Sequence, residues 1–84
     1  MLVGKFSWNE TKNARLKRTR GASFSQLLGS RFVEFVEKGE GINLMLFEYK
    51  NYIWSVPYKQ TETGYFLKTL YRDRKYTKHY LGRS

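Results

Sequence analysis

The chain has 84 residues and a formal net charge of +9 at pH 7, with 16 Lys and Arg against seven Asp and Glu. It has no cysteine and one histidine, which excludes a disulfide framework, a thiolate nucleophile and a cysteine zinc site, and we expect no metal or other cofactor. Aromatic residues make up 18% of the chain, too many for a disordered basic tail, so we expect one small domain over residues 1–84.

The positive charge indicates an anionic partner, and it is concentrated at the two ends of the chain. Residues 32–67 carry only three Lys against five Glu, whereas 1–31 and 68–84 are strongly basic. No apolar run reaches the length of a signal peptide or of a membrane span, so we expect a soluble cytoplasmic protein with no membrane partner.

The first third of the chain has a helical pattern. Asn9 is a residue type that caps helix N-termini, and 10–20 contain no Gly or Pro before Gly21. Ser23 is a second candidate cap, and apolar residues follow it at helical spacing. We therefore predict two short helices within residues 9–30.

From residue 31 the pattern changes to strands. Four segments are rich in β-branched and aromatic residues: 32–36, 42–49, 52–58 and 65–71. Lys50-Asn51 is a candidate two-residue hairpin turn, and Pro57 is expected at an edge or a bulge. In the last strand, Lys68 falls on an otherwise apolar face.

A final basic segment, residues 73–81, has Tyr76 and Tyr80 at the i, i+4 spacing of a helix. The predicted fold is therefore α+β. Two N-terminal helices precede an antiparallel sheet of three to four strands, and a short C-terminal helix follows it.

Several of these segments resemble one protein family. Residues 6–13 (FSWNETKN) and 21–24 (GASF) are similar to the opening of BrnT-like toxins of bacterial type II toxin–antitoxin systems. The hairpin at 49–58 and the segments 66–69 and 74–77 resemble the closing strand of that family and its Arg-Arg/Lys-x-Thr motif. The resemblance covers nearly the whole chain.

The chain departs from the family pattern at Leu16, at Arg20 and at Lys78-His79, which suggests a divergent branch. The resemblance implies a RelE-like ribonuclease fold and mRNA cleavage that arrests translation. It also implies a protein antitoxin encoded beside the toxin, usually with a ribbon-helix-helix DNA-binding domain, in a heteromeric complex.

Metal-free RNA cleavage needs cations that stabilise a phosphorane and a group that moves protons at the reacting oxygens. For the proton-moving group, His79, Tyr80 or a lysine with a depressed pKa remain open alternatives. The candidate catalytic residues are Lys12, Arg15, Lys68, Arg74, His79 and Tyr80. The candidate RNA-binding residues are Arg18, Arg20, Arg72, Lys75 and Lys78.

Two other functions share these electrostatics. The chain could be a non-catalytic RNA-binding module with stacking tyrosines, or a protein-interaction module for an acidic partner. Only the ribonuclease turns over its substrate. The ribonuclease hypothesis built on these residues depends on one expectation, that the cations of both chain ends converge in one pocket beside the strands.

Overall fold

The elements of the fold are taken from a computed structural model that describes residues 4–82. In chain order they are β1 (Lys5–Ser7), α1 (Glu10–Arg20), α2 (Phe24–Leu28), β2 (Arg31–Glu37), β3 (Asn43–Tyr49), β4 (Tyr52–Gln60), β5 (Gly64–Leu67), β6 (Tyr71–Arg72) and α3 (Arg74–Leu81). None of the helices in this part of the chain is long and apolar enough to cross a lipid bilayer.

The strands form one mixed sheet in the order β1-β5-β4-β3-β2, with β6 paired to β4. The α+β class is confirmed, but the prediction of a purely antiparallel sheet of three to four strands is wrong. β1 pairs parallel to β5, and Gly64 allows this contact because a Cβ there would overlap the Lys5 carbonyl oxygen. β1 and β6 have three and two residues, too few to produce a readable alternation.

The two N-terminal helices begin at the predicted caps. The Asn9 side chain accepts a hydrogen bond from the Lys12 amide at 2.9 Å, and Ser23 forms a capping box with Gln26. Asn13 of α1 joins the two helices because its Oδ1 accepts from the Phe24 amide at 2.8 Å.

Helices cover both faces of the sheet. On β3, Met45 and Phe47 point into a core shared with α1 and α2. Leu44 and Leu46 point the other way, into a second core that Tyr76 of α3 helps to cover. The molecule therefore has three layers, and the sheet separates α1 and α2 from α3.

Pro57 lies in the central strand, so the prediction of an edge or a bulge is wrong. It is paired with Leu44 on one side. On the other side its carbonyl accepts from the Lys68 amide at 2.9 Å, between the parts of β4 that pair with β5 and β6. In an antiparallel strand, the N–H and C=O of one residue point toward the same neighbouring strand. The ladder is interrupted on the side that the Pro57 carbonyl faces, so the N–H that proline lacks would have no ladder partner there.

The predicted strand over residues 65–71 is also broken. β5 ends at Leu67, and Leu70 turns into the core with no exposed surface. Lys68 therefore lies in an irregular segment and is exposed, rather than standing on an apolar strand face.

Candidate functional site

A groove of about 670 Å³ runs between α3 and β2 on the face of the sheet opposite to α1 and α2. It combines a carboxylate, an imidazole, two phenols and two ammonium groups with apolar surface. The lining residues are Glu34, Val36, Lys75, Tyr76, Lys78, His79 and Tyr80. Four of the predicted site residues therefore meet here, namely Lys75, Lys78, His79 and Tyr80.

The start of α3 is fixed to β4 by buried polar contacts. The Asp73 carboxylate caps α3 by accepting from the Tyr76 amide at 3.2 Å, and it accepts from the Ser55 hydroxyl at 2.7 Å. One turn later, the Thr77 hydroxyl accepts from the Ile53 amide at 2.9 Å. These contacts fix the rotation of α3 about its own axis. As a result Lys75, Lys78 and His79 lie on the exposed side of the helix.

A β-bulge in β2 turns Glu34 toward α3. Phe32 pairs with Phe47 across the two strands. The next pair joins Glu34 to Leu46, so Val33 is an extra residue without a partner. Without this insertion, Glu34 would lie on the same face as Phe32, toward α1 and α2. The bulge therefore supplies the groove with its one acidic side chain.

Glu34, Tyr80 and His79 are in contact as a series. The Tyr80 hydroxyl donates a hydrogen bond to Oε2 of Glu34, and the Tyr80 ring meets the His79 ring edge-on at a centroid distance of 4.8 Å. The hydrogen bond to Glu34 raises the pKa of the Tyr80 phenol above its usual value. Tyr80 is thereby kept protonated, which makes it a hydrogen-bond donor and a poor base.

The groove is bordered by cations that are not committed to carboxylates. The Nζ atoms of Lys75 and Lys38 lie 5.6 and 5.7 Å from the centroid of the Tyr76 ring. Within residues 4–82, the one ion pair between side chains joins Arg31 to Glu48, away from this groove. The lysines can therefore accept an anionic ligand such as a phosphodiester.

A second, smaller recess of about 230 Å³ is lined by Tyr52, Arg72 and Arg74. Arg72 pairs with Trp54, whose side chain belongs to the core beneath α1 and α2, so Arg72 lies on that face of the sheet. The structure thus places Arg74 with Arg72 at the start of α3 and not among the groove residues.

The cations of α1 do not reach the groove, so the expectation of one shared pocket is wrong. Leu16 is buried in the core beneath α1 and α2, which fixes α1 on the far side of the sheet from α3. Arg20 donates to the Leu70 carbonyl at 2.6 Å. The predicted site residues outside the groove are Lys12, Arg15, Arg18, Arg20, Lys68, Arg72 and Arg74.

Sequence reasoning missed Glu34 and Lys38. The signal for Glu34 is absent from the sequence pattern, because strict alternation from Phe32 assigns it to the other face of the sheet. Lys38 lies between the predicted strands 32–36 and 42–49, and only the packing of α3 shows that it reaches Tyr76.

No group of three or more His, Asp or Glu side chains within residues 4–82 is arranged to hold a metal ion. Comparison of the chain with models of known protein families, with curated proteins and with solved structures gives no match.

Proposed function

We propose that this protein is a metal-independent endoribonuclease that cuts mRNA in the groove between α3 and β2. The observation that carries the proposal is the groove itself, where Glu34 and His79 lie in one lining with Lys75 and Lys78. A carboxylate and an imidazole provide a base and an acid, and the lysines provide fixed positive charge for a phosphorane.

In this mechanism, Glu34 removes the proton from the ribose 2′-hydroxyl. The hydroxyl oxygen then attacks the adjacent phosphorus, and the bond from phosphorus to the 5′-oxygen breaks. His79 gives a proton to the departing 5′-oxygen. Lys75 and Lys78 stabilise the charge on the two non-bridging oxygens. The products are a 2′,3′-cyclic phosphate and a 5′-hydroxyl.

Tyr80 has a positioning role in this scheme. Its hydroxyl is bound to Oε2 of Glu34, which leaves Oε1 available for the substrate. The raised pKa of the phenol supports this role, because a phenol that stays protonated can orient the carboxylate throughout the reaction. Glu34 thereby replaces His79, Tyr80 and lysine as the proposed base.

The biological role we propose is that of a BrnT-like toxin with a RelE-like fold. The support is the sequence resemblance over residues 6–13, 21–24, 49–58, 66–69 and 74–77, together with a groove in which cations outnumber acids. The target is cytoplasmic mRNA, and the partner is a protein antitoxin of the ribbon-helix-helix type in a heteromeric complex. An acidic antitoxin segment fits the positive border of the groove.

The catalytic part of the proposal is tested with purified protein and a labelled, unstructured RNA in excess EDTA. We expect cleavage, with cyclic phosphate termini identified by mass spectrometry. DNA of the same sequence is expected to stay intact because it lacks the attacking hydroxyl. Binding of the RNA without any cleavage would instead identify a non-catalytic RNA-binding module.

The toxin part is tested by induced expression in bacteria. We expect the protein alone to arrest growth and to lower bulk translation, measured by incorporation of a labelled amino acid. Co-expression of the neighbouring open reading frame should restore growth and yield a complex that co-purifies. Normal growth at a verified level of folded protein would contradict this role.

A further inference from the structure

The recess formed by Tyr52, Arg72 and Arg74 carries two cations and no acidic lining residue. Asp73 lies between the two arginines in sequence, but its carboxylate is turned inward to Ser55 and the Tyr76 amide. Both arginines are exposed, and neither forms an ion pair within the described residues. The fold thus buries the acid of this segment and leaves its two guanidinium groups facing solvent.

The recess also offers a flat stacking surface. The Arg72 guanidinium carbon lies 5.2 Å from the centroid of the Tyr52 ring, which is the arrangement of a cation stacked on an aromatic face. A guanidinium plane held in this way is a surface on which unpaired RNA bases stack. An Asp or Glu side chain binds the N–H edge of a guanidinium group and leaves its stacking face unused, so the stacking face favours RNA over an acidic peptide.

Arg74 relates the recess to the groove along α3, although Arg72 lies on the opposite face of the sheet. Arg74 lines the recess and Lys78 lines the groove, and the two are one helical turn apart, about 6 Å along the helix axis. Residues at i and i+4 lie on the same side of a helix. A flexible strand that follows α3 from Lys78 toward the start of the helix therefore reaches Arg74.

We propose that this recess is a nucleotide-binding subsite for single-stranded RNA next to the cleaved phosphodiester. Arg74 binds the phosphate of a flanking nucleotide, and the base of that nucleotide stacks on Arg72. This inference rests on the proposed ribonuclease function, since it assigns to the recess a second part of the same substrate.

The test uses uncleavable 2′-O-methyl RNA labelled with fluorescein, as a dinucleotide and as an octanucleotide of mixed sequence. Binding is measured by anisotropy at several salt concentrations for the native protein, for R72A/R74A and for K17A/K59A. The last variant is the matched control, because it removes two exposed positive charges that lie outside both the recess and the groove.

For R72A/R74A, we expect octanucleotide affinity to fall by about tenfold or more relative to the control. The slope of log affinity against log salt should fall by about 0.7, because Arg74 neutralises one phosphate whereas Arg72 stacks on a base. Dinucleotide affinity should match the control. Arg72→Lys should weaken octanucleotide binding with little change in salt slope, because the charge is kept and the stacking plane is removed.

The proposal is overturned if R72A/R74A binds the octanucleotide as the control does. It is also overturned if the variant keeps RNA binding and loses only the binding of a polyglutamate peptide, since the recess would then serve a protein partner. These measurements need no cleavage, so the two proposals can fail separately. A native protein that cuts no RNA would refute the ribonuclease, and the binding data would still show whether the recess binds RNA.

Discussion

Glu34→Gln is expected to lower kcat for RNA cleavage by about 10²–10⁴-fold, the usual contribution of a general base. The amide cannot take the 2′-hydroxyl proton, but its oxygen can still accept the hydrogen bond from Tyr80. The side chain is exposed on β2, so the fold should be retained. Steady-state kinetics on a labelled RNA, with circular dichroism as a check of folding, measures this effect.

Glu37→Gln is the matched control for this substitution. Glu37 is on the same strand and loses the same charge, but it pairs with Asn43 and does not line the groove. Removal of either carboxylate makes the protein more positive, so KM should stay equal or fall in both variants. A native kcat in Glu34→Gln, or an equal loss in Glu37→Gln, would remove Glu34 from the mechanism.

Asp73→Ala is expected to lower the free energy of unfolding by about 2–4 kcal/mol, from the loss of a helix cap and of a buried hydrogen bond. The substitution leaves the Ser55 hydroxyl without its acceptor, and Ser55 has no exposed surface. Because α3 supplies most of the groove lining, cleavage activity should fall together with stability. Urea unfolding gives the free energy, and hydrogen exchange of the amides of α3 locates the loss.

Asp73→Asn provides the comparison for this substitution. Its amide oxygen can still cap the helix and its amide nitrogen can donate to Ser55, so a smaller loss is expected. Thr77→Val should also be destabilising, by about 1–3 kcal/mol, because the buried Ile53 amide loses its partner. Asp73→Ala with native stability and native exchange in α3 would show that these contacts do not hold the helix.

The elements that sequence reasoning placed correctly are those specified by neighbouring residues. Asn9 and Ser23 cap helices through amides three residues away. Lys50 and Asn51 form the hairpin turn with φ angles of 51° and 65°, which the turn type requires. Each of these structures depends on fewer than five consecutive residues, so the sequence pattern contains the relevant information.

The composition of the site depends on contacts between distant residues, and there the sequence was insufficient. The extra residue Val33 reverses the face of Glu34, and nothing in the alternating pattern indicates where a bulge occurs. The sequence also does not show whether the helices at the two ends of the chain pack on the same face of the sheet or on opposite faces. The burial of Leu16 and Thr77 on opposite faces decides this point and separates the two basic regions.

The position of α3 after all six strands has a consequence for synthesis of the chain. A nascent chain that has emerged from the ribosome only as far as Arg72 contains every strand of the sheet, yet it lacks Lys75, Lys78 and His79. Domains can begin to fold from their N-terminal part during translation. Such a nascent chain would carry Glu34 without the groove residues of α3, so under the proposed function the ribosome making this protein would meet an assembled groove only once α3 has emerged and docked.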